Sequence, residues 1–308
     1  MIGYDSIAPV APLVPAAVPP GNPTRRFQHD VRNLFVDNGF TEVYNYSFLS
    51  EESVRAFGFD PAAHIRVTNP IASNQELMRA SLLPGIWKNV TDNAKHRESF
   101  RLFEIGLEIH RMERGLPEET PHLVAALYSR QDGGIFELKR VAECLLPGAR
   151  TVPAEARGYE HPARAAEIQW KGTVAGRLFE LHPRFVETGR AAILDLDLRL
   201  VESLSGERTK YTPIRRYPSS AFDLSVIAPS REHAGKLEAA IAGFAGPLLE
   251  SIQFVRQYAG PPLAEGTKSV SFRLTVGSPE RTLSSDEIAA IRATIIDSMR
   301  GLGYELRV

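Results

Sequence analysis

The sequence predicts an α+β protein of two domains, an antiparallel sheet domain followed by a smaller βαββαβ domain. Three observations carry that prediction. Long strand-like runs such as "SFRLFEIGLEIH" and "HLVAALYS" alternate with amphipathic helical stretches in the first two thirds of the chain. The C-terminal third begins with the alternating run "AFDLSVIA" and contains a second, "SVSFRLTV". Between and after them, apolar residues recur at helical spacing, as in Ile288, Ile291, Ile295 and Met299.

Residues 1–24 hold Pro9, Pro12, Pro15, Pro19, Pro20 and Pro23, so they read as an extended linker and not a helix. From Asn22 the pattern becomes helical, with Phe27, Val31, Leu34 and Phe35 on one face and Gly39 as the stop. "EVYNYSFLS" follows as a strand, and a loop around "NPIASNQELM" leads into a helix with Pro84 in its first turn. "SFRLFEIGLEIH" and "HLVAALYS" are strands and "FELKRVAECLL" is an amphipathic helix. "AEIQWKGTVAGRLFELH" reads as a hairpin turning at Lys171-Gly172, and "AILDLDLRLVESL" closes the domain as a strand. This first domain spans residues 25–212.

The second domain spans residues 213–308. After "AFDLSVIA", Ser230 is placed to cap a helix carrying Ala234, Leu237, Ile241 and Phe244. "ESIQFVRQY" and "SVSFRLTV" are the next strands. Ser284 with Glu287 forms a capping box before the last helix, and "YELRV" supplies the last strand. The order βαββαβ is that of a ferredoxin-like split βαβ domain. Both helices then cover one sheet face. Val270, Phe272, Leu274 and Val276 point toward them, while Ser271, Arg273 and Thr275 point to the open face.

Composition bounds the function. The 308 residues are 43% hydrophobic and 24% charged, with a net charge of −1 and no basic signature over the whole chain. The second domain, from Pro213 onward, has 11 Lys/Arg against 10 Asp/Glu, a net of +1. On residues alone its open face reads as a solvated polar surface before an RNA platform. The single cysteine, Cys144, excludes an internal disulfide and a thiolate metal cluster, fits a reducing cytoplasm, and reads as a small buried apolar residue. No apolar run approaches the ~20 residues of a membrane span.

Few motifs carry chemistry. "EGTKS" fails as a phosphate loop because Thr267 separates Gly266 from Lys268. The eight histidines show no metal-ligand spacing, and no nucleophilic triad pattern is present. Asp195 and Asp197 share one strand face, which reads as a polar outer surface. No catalytic residue and no metal ligand is therefore expected. Arg101 and Glu104 stand three apart on one strand, an odd spacing that sends them to opposite sheet faces.

Several strings together resemble the beta subunit of bacterial phenylalanine–tRNA ligase. "NLFVDNGFTEVYNYSFLS", "NPIASNQELMRASLLPGIWKNVTDN", "FRLFEIG", "HPARAAEI" and "FELHP" are similar to its catalytic-like module, in that order. "AFDLSV", "YAGPPLAEGTKSVSFRLTV", "RTLSSDEI" and "ELR" resemble its ferredoxin-fold anticodon-binding domain, and "GYDSIAP" resembles the segment after its DNA-binding-like repeat domain. The resemblance implies a class II synthetase-like sheet without catalysis. Arg101 and Glu104 form a degenerate second signature motif, since the catalytic pair is separated by a single residue. The glycines of the third motif are missing from "AILDLDLRL". It implies Arg101 in a structural ion pair. ATP and magnesium would be used by the full alpha–beta complex and not by this chain.

The resemblance also implies partners: the alpha subunit, a heterotetramer of two alpha and two beta chains, and the anticodon stem of tRNA(Phe). Matched positions give Lys268, Arg273 and Arg281 as phosphate contacts, Tyr258 for packing or stacking, and Arg307 as a further contact. Ser269 and Thr282 would be structural. The editing site and the acidic magnesium cluster of the family lie outside this chain, so neither is expected, whether it is an expressed fragment or a naturally short relative. Two departures stand out. Phe222 replaces an arginine before Asp223, removing an expected cation. Phe179 in "RLFELHP" replaces a glycine, implying a tighter or shifted turn. The competing readings are a stand-alone RNA-binding or regulatory paralogue and an independent ATP-dependent adenylating ligase using Arg101.

Overall fold

The computed structural model describes residues 3–131, 133–206, 211, 214 and 216–307, with Arg307 described by its backbone alone. The chain forms two compact units, Met1–Arg208 and Thr209–Val308. The junction expected at residues 212–213 lies outside the described residues. Residues 8–22 form no helix or strand and are exposed, as their prolines require.

The first unit opens with α1 (Pro23–Asp37), capped by the Asn22 side chain on Arg25 N at 2.9 Å. Val31 and Phe35 are buried, and Gly39 ends the helix at φ +80°. The expected strand "EVYNYSFLS" is instead two short pieces, β1 (Thr41–Glu42) and β2 (Phe48–Leu49). Between them the chain turns so that Asn45 uses its N–H and carbonyl oxygen on side chains, and a continuous ladder is lost. Then follow α2 (Glu51–Ala56), β3 (Leu77–Met78) and α3 (Leu83–Ala94) with Pro84 in its first turn. Next come β4 (Ser99–His110), β5 (Glu118–Ser129), α4 (Ile135–Leu145) and β6 (Arg150–Pro153). β7 (Glu160–Trp170), β8 (Thr173–Leu181), β9 (Arg190–Asp197) and α5 (Leu198–Leu204) complete the unit.

The seven-stranded sheet has the order β1-β4-β5-β9-β8-β7-β6, antiparallel except for the β1–β4 pair. Lys171 and Gly172 both take positive φ, 49° and 81°, in the two-residue turn joining β7 to β8. Helices cover both faces, which explains the continuous apolar runs. Phe103, Ile105, Leu123, Ala125 and Leu194 pack under α1, α4 and α5, while Leu102, Val124, Ala126 and Ile193 pack under α3. The run "AILDLDLRLVESL" is a strand only as far as Asp197, whose side chain caps α5 through Leu200 N at 2.9 Å. Cys144 is exposed, on a flank of α4 turned away from buried Leu138, Val141 and Ala142. Phe179 lies within β8 between Ala165 and Ile193, fully buried, so it fills the core and bends no turn.

The second unit runs β10 (Ser220–Pro229), α6 (Ala234–Ala245), β11 (Leu249–Tyr258), β12 (Thr267–Val276), α7 (Ser285–Gly301) and β13 (Glu305–Arg307). Its sheet order, β11-β12-β10-β13, is antiparallel throughout and matches the ferredoxin-like expectation. Leu224, Val226, Val270, Phe272 and Leu274 form one core with Leu237, Ile241, Ile295 and Met299 of the helices. The Ser284–Glu287 capping box is present. Ser230 does not cap α6: its N–H is bonded to Gly266 O at 2.8 Å, and the helix starts three residues later after His233, without a side-chain cap. Among the described residues no helix is long and apolar enough to cross a membrane.

Candidate functional site

The seven-stranded sheet sends Arg101 and Glu104 to opposite faces. Arg101 points to the α4 side, where its guanidinium meets Glu137 at 2.6 Å, donates to Asn38 O at 2.9 Å and lies 6.0 Å from the Phe40 ring centroid. Glu104 points to the other face and is 1% exposed. Its carboxylate accepts from Arg79 Nη1 at 2.6 Å and from Asn45 Nδ2 at 2.7 Å. Arg79 also donates to Leu107 O at 2.9 Å and Asn45 O at 3.2 Å, so the guanidinium is satisfied inside the fold. Gly106 gives it room, since a Cβ there would lie 2.5 Å from Arg79 Nη2. Arg79 and Asn45 were not singled out from sequence, because nothing in the local pattern pairs them with a strand 25 or 59 residues away.

Beside this pair, Leu82, Leu83 and Ile86 at the start of α3 press on Leu102, Val124 and Ala126, filling the same face with apolar side chains. The face that holds Glu104 is therefore packed. Farther along it, the sheet brings together Glu108, His122 and Asp195, which the linear sequence scatters. Hydrogen bonding from Asp195 and the negative charges of Asp195, Glu108 and Asp197 hold the His122 imidazole above its ordinary value, although burial opposes them most strongly.

In the second unit the open sheet face carries the polar half of β12. Arg273 is exposed and directly opposite Asp223 in the β10 register. Its guanidinium donates from Nε to Oδ1 at 2.8 Å and from Nη2 to Oδ2 at 2.9 Å. The pairing holds the Asp223 carboxyl below its ordinary value and raises the guanidinium. Gln253 and Arg256 of β11 stand opposite Arg273 and Ser271, which puts both on this face; the sequence missed them because β-bulges shift the β11 register. Tyr258 stands opposite Ser269, half exposed, with its hydroxyl donating to Pro261 O at 2.6 Å.

Of the remaining expected contacts, Lys268 and Arg281 lie away from this face. Lys268 shares the even register of Val270 and Phe272, faces the helix side opposite Ala228, and is 6% exposed. Burial pushes its ammonium below the ordinary value, against the pull of Glu232. Register parity thus places Lys268, expected as a phosphate contact, on the helix side of the sheet. Arg281, in the loop before α7, is exposed and ion-paired with Glu287. Arg307 stands opposite Ser225 in the backbone register, and its side chain lies outside the described residues. Phe222 also shares the helix-facing register, and the Arg292 guanidinium lies 6.0 Å over its ring. A phenylalanine there takes no charge from the open face.

Comparison with known proteins gives two family matches. Residues 7–196 match a model described as the phenylalanyl tRNA synthetase beta chain CLM domain, and residues 215–307 match one described as the ferredoxin-fold anticodon binding domain. The chain is 79% identical along its whole length to the phenylalanine–tRNA ligase beta subunit of Solibacter usitatus, covering 40% of that protein. It is 30% identical over 99% of the chain to the beta subunit of Aromatoleum aromaticum, covering 41% of it. It is 28% identical over 96% of the chain to that of Geobacillus kaustophilus, covering 39% of it. The chain thus spans about two fifths of the length of the curated relatives it matches.

Proposed function

The chain belongs to the phenylalanyl-tRNA synthetase beta chain family, and from that premise we propose that it is the noncatalytic scaffold and tRNA-binding portion of a cytoplasmic phenylalanine–tRNA ligase. In this reading its synthetase-like unit packs against an alpha subunit in a complex of two alpha and two beta chains. ATP and magnesium act at the alpha subunit. The anticodon stem of tRNA(Phe) rests on the second unit.

The observation that carries the noncatalytic part is the division of Arg101 from Glu104. Adenylate formation needs a cation poised over the phosphate undergoing attack, in a site where charge develops with little reorganisation. Arg101 is committed to Glu137 and Asn38 on one face, and Glu104 to Arg79 and Asn45 on the other. Support for the tRNA part comes from the anticodon-binding family match together with Arg273, Arg256 and Tyr258 on one accessible face.

The test is a titration of the chain with tRNA(Phe) at two salt concentrations, with a tRNA lacking its anticodon stem-loop as control. Salt-dependent binding that requires the anticodon arm supports the reading. Binding that survives loss of the arm overturns the assignment of the second unit. A companion calorimetric titration with ATP should give no binding heat, and micromolar ATP affinity would overturn the noncatalytic assignment.

A further inference from the structure

The registers of β4, β5 and β9 place Glu108, His122 and Asp195 on one face of the first sheet. His122 stands opposite Gly106 and Asp197, and so lies diagonal to Glu108 and Asp195 on the neighbouring strands. One donor atom from each of Glu108, His122 and Asp195 lies within 4.8 Å of the others. His122 Nε2 is 3.5 Å from Glu108 Oε2, and His110 Nε2 is 3.4 Å from the same oxygen. On its far side, His122 Nδ1 is 3.2 Å from Asp195 Oδ1.

Glu108 is the unusual member. Its side chain is 7% exposed, and its Oε1 accepts the Leu82 N–H at 3.1 Å, which fixes the carboxylate. Among the described residues, Oε2 accepts no hydrogen bond from the backbone, and neither Glu108 nor Asp195 pairs with a lysine or arginine. Oε2 thus faces two imidazole nitrogens with no lysine or arginine beside it, so its charge is left to those rings or to a cation held between them. Donors held 2.0–2.1 Å from a tetrahedral ion lie about 3.4 Å from one another. The two nitrogen–oxygen separations at Glu108 Oε2 match that edge length.

We propose that Glu108 Oε2, His122 Nε2 and His110 Nε2 form a binding site for a divalent transition-metal ion such as zinc, with Asp195 orienting His122. Mixed imidazole and carboxylate donors suit zinc and neighbouring first-row ions, and disfavour magnesium. Asp195 accepts the Nδ1–H of His122, which fixes the tautomer with Nε2 free to ligate and raises its basicity. His110 is the half-exposed member, 41% accessible, and closes the site from solvent by a small movement of its ring. A water takes the fourth position. The ion would join β4 to β5 and, through Asp195, to β9. Linear spacing hides such a site, because its ligands come from adjacent strands and not from one helix or loop.

The test is equilibrium binding of Zn²⁺ to the full chain near pH 8, by calorimetry and by metal analysis after dialysis, with Mg²⁺ as the contrasting ion. The expected result is one Zn²⁺ per chain, undisturbed by millimolar Mg²⁺, with affinity falling at least tenfold in His122→Ala and in Glu108→Gln. His110→Ala removes a half-exposed side chain and leaves the fold intact, so its loss of affinity reads the site even if a buried variant unfolds. Asp195→Asn should weaken Zn²⁺ binding by about 10- to 100-fold, as second partners of metal-bound histidines do. Cobalt substitution should give the intense visible absorption of a four-coordinate site. Absence of Zn²⁺ binding, or binding unchanged in His110→Ala, overturns the proposal.

Discussion

Arg273 and Asp223 face each other across adjacent strands, and both carboxylate oxygens hold the guanidinium. An exposed pair of this kind contributes little to folding, because water screens it and two side chains must be ordered to make it. In the proposed tRNA complex its effect would be larger, because Arg273 comes with its own counter-ion and the tRNA would have to displace that carboxylate to use it.

Replacing Asp223 with Asn should therefore strengthen tRNA(Phe) binding and steepen its salt dependence, by up to about 0.9 in the slope of log K against log salt for each further duplex phosphate neutralised. Arg273→Ala should weaken binding and flatten the slope by a similar amount. Filter binding over a salt series measures both. An unchanged slope in both variants would remove Arg273 from the interface.

Lys268 gives the opposite expectation. Its ammonium is buried on the helix side of the sheet, so Lys268→Met should leave the salt slope unchanged. Burial lowers the lysine in the folded state, so the charged form burdens folding below that depressed value, and the burden lifts as pH rises toward 10.5. The variant should consequently match or exceed the parent in denaturation midpoint at neutral pH, with the difference shrinking toward alkaline pH. A slope flattened as much as in Arg273→Ala would return Lys268 to the interface.

The Arg79–Glu104 pair should behave as a buried ion pair. Arg79→Ala leaves a carboxylate uncompensated and should cost about 3–5 kcal/mol, whereas Arg79→Met combined with Glu104→Leu should cost less than either single change. Urea unfolding followed by tryptophan fluorescence reports this selectively, because Trp87 and Trp170 both lie in the first unit. Equal, additive losses would show that the two side chains act independently.

The cap of α7 supplies a pH test. The Arg281 guanidinium and the Ser284 backbone N–H hold the Glu287 carboxyl down at about 2, against an ordinary 4.5. A depressed carboxyl stabilises the fold fully above its ordinary value and loses that contribution as pH falls toward the folded one. Glu287→Gln should thus lower the melting temperature slightly at pH 7, with the gap narrowing below pH 4.5 and closing near pH 2. Circular dichroism melts across that range measure it, and a gap constant down to pH 2 would contradict the assignment.

What the sequence made legible was local and periodic. The alternation of Val270, Phe272, Leu274 and Val276 set the buried side of β12, and the three-residue spacing set Arg101 and Glu104 on opposite faces. The βαββαβ order came from the same periods. The departures arose where a distant partner overrode the local pattern. Asn45 broke a predicted strand by serving Glu104 and Arg79, and Asp197 ended another by capping α5. Lys268 followed the parity of its apolar neighbours, a consequence already contained in "TKSVSFRLTV" that a search for cations passes over. Glu108, His122 and Asp195 met only through strand pairing, which no spacing along the chain encodes.

Gly106 makes the packed face of the first sheet hard to reopen one substitution at a time. A methyl group at that position would collide with the Arg79 guanidinium; loss of Arg79 strands a buried carboxylate, and loss of Glu104 strands a buried guanidinium. Every single step from this arrangement toward an open nucleotide cleft passes through a destabilised protein. The three residues act together as a ratchet, which keeps this face of the sheet packed.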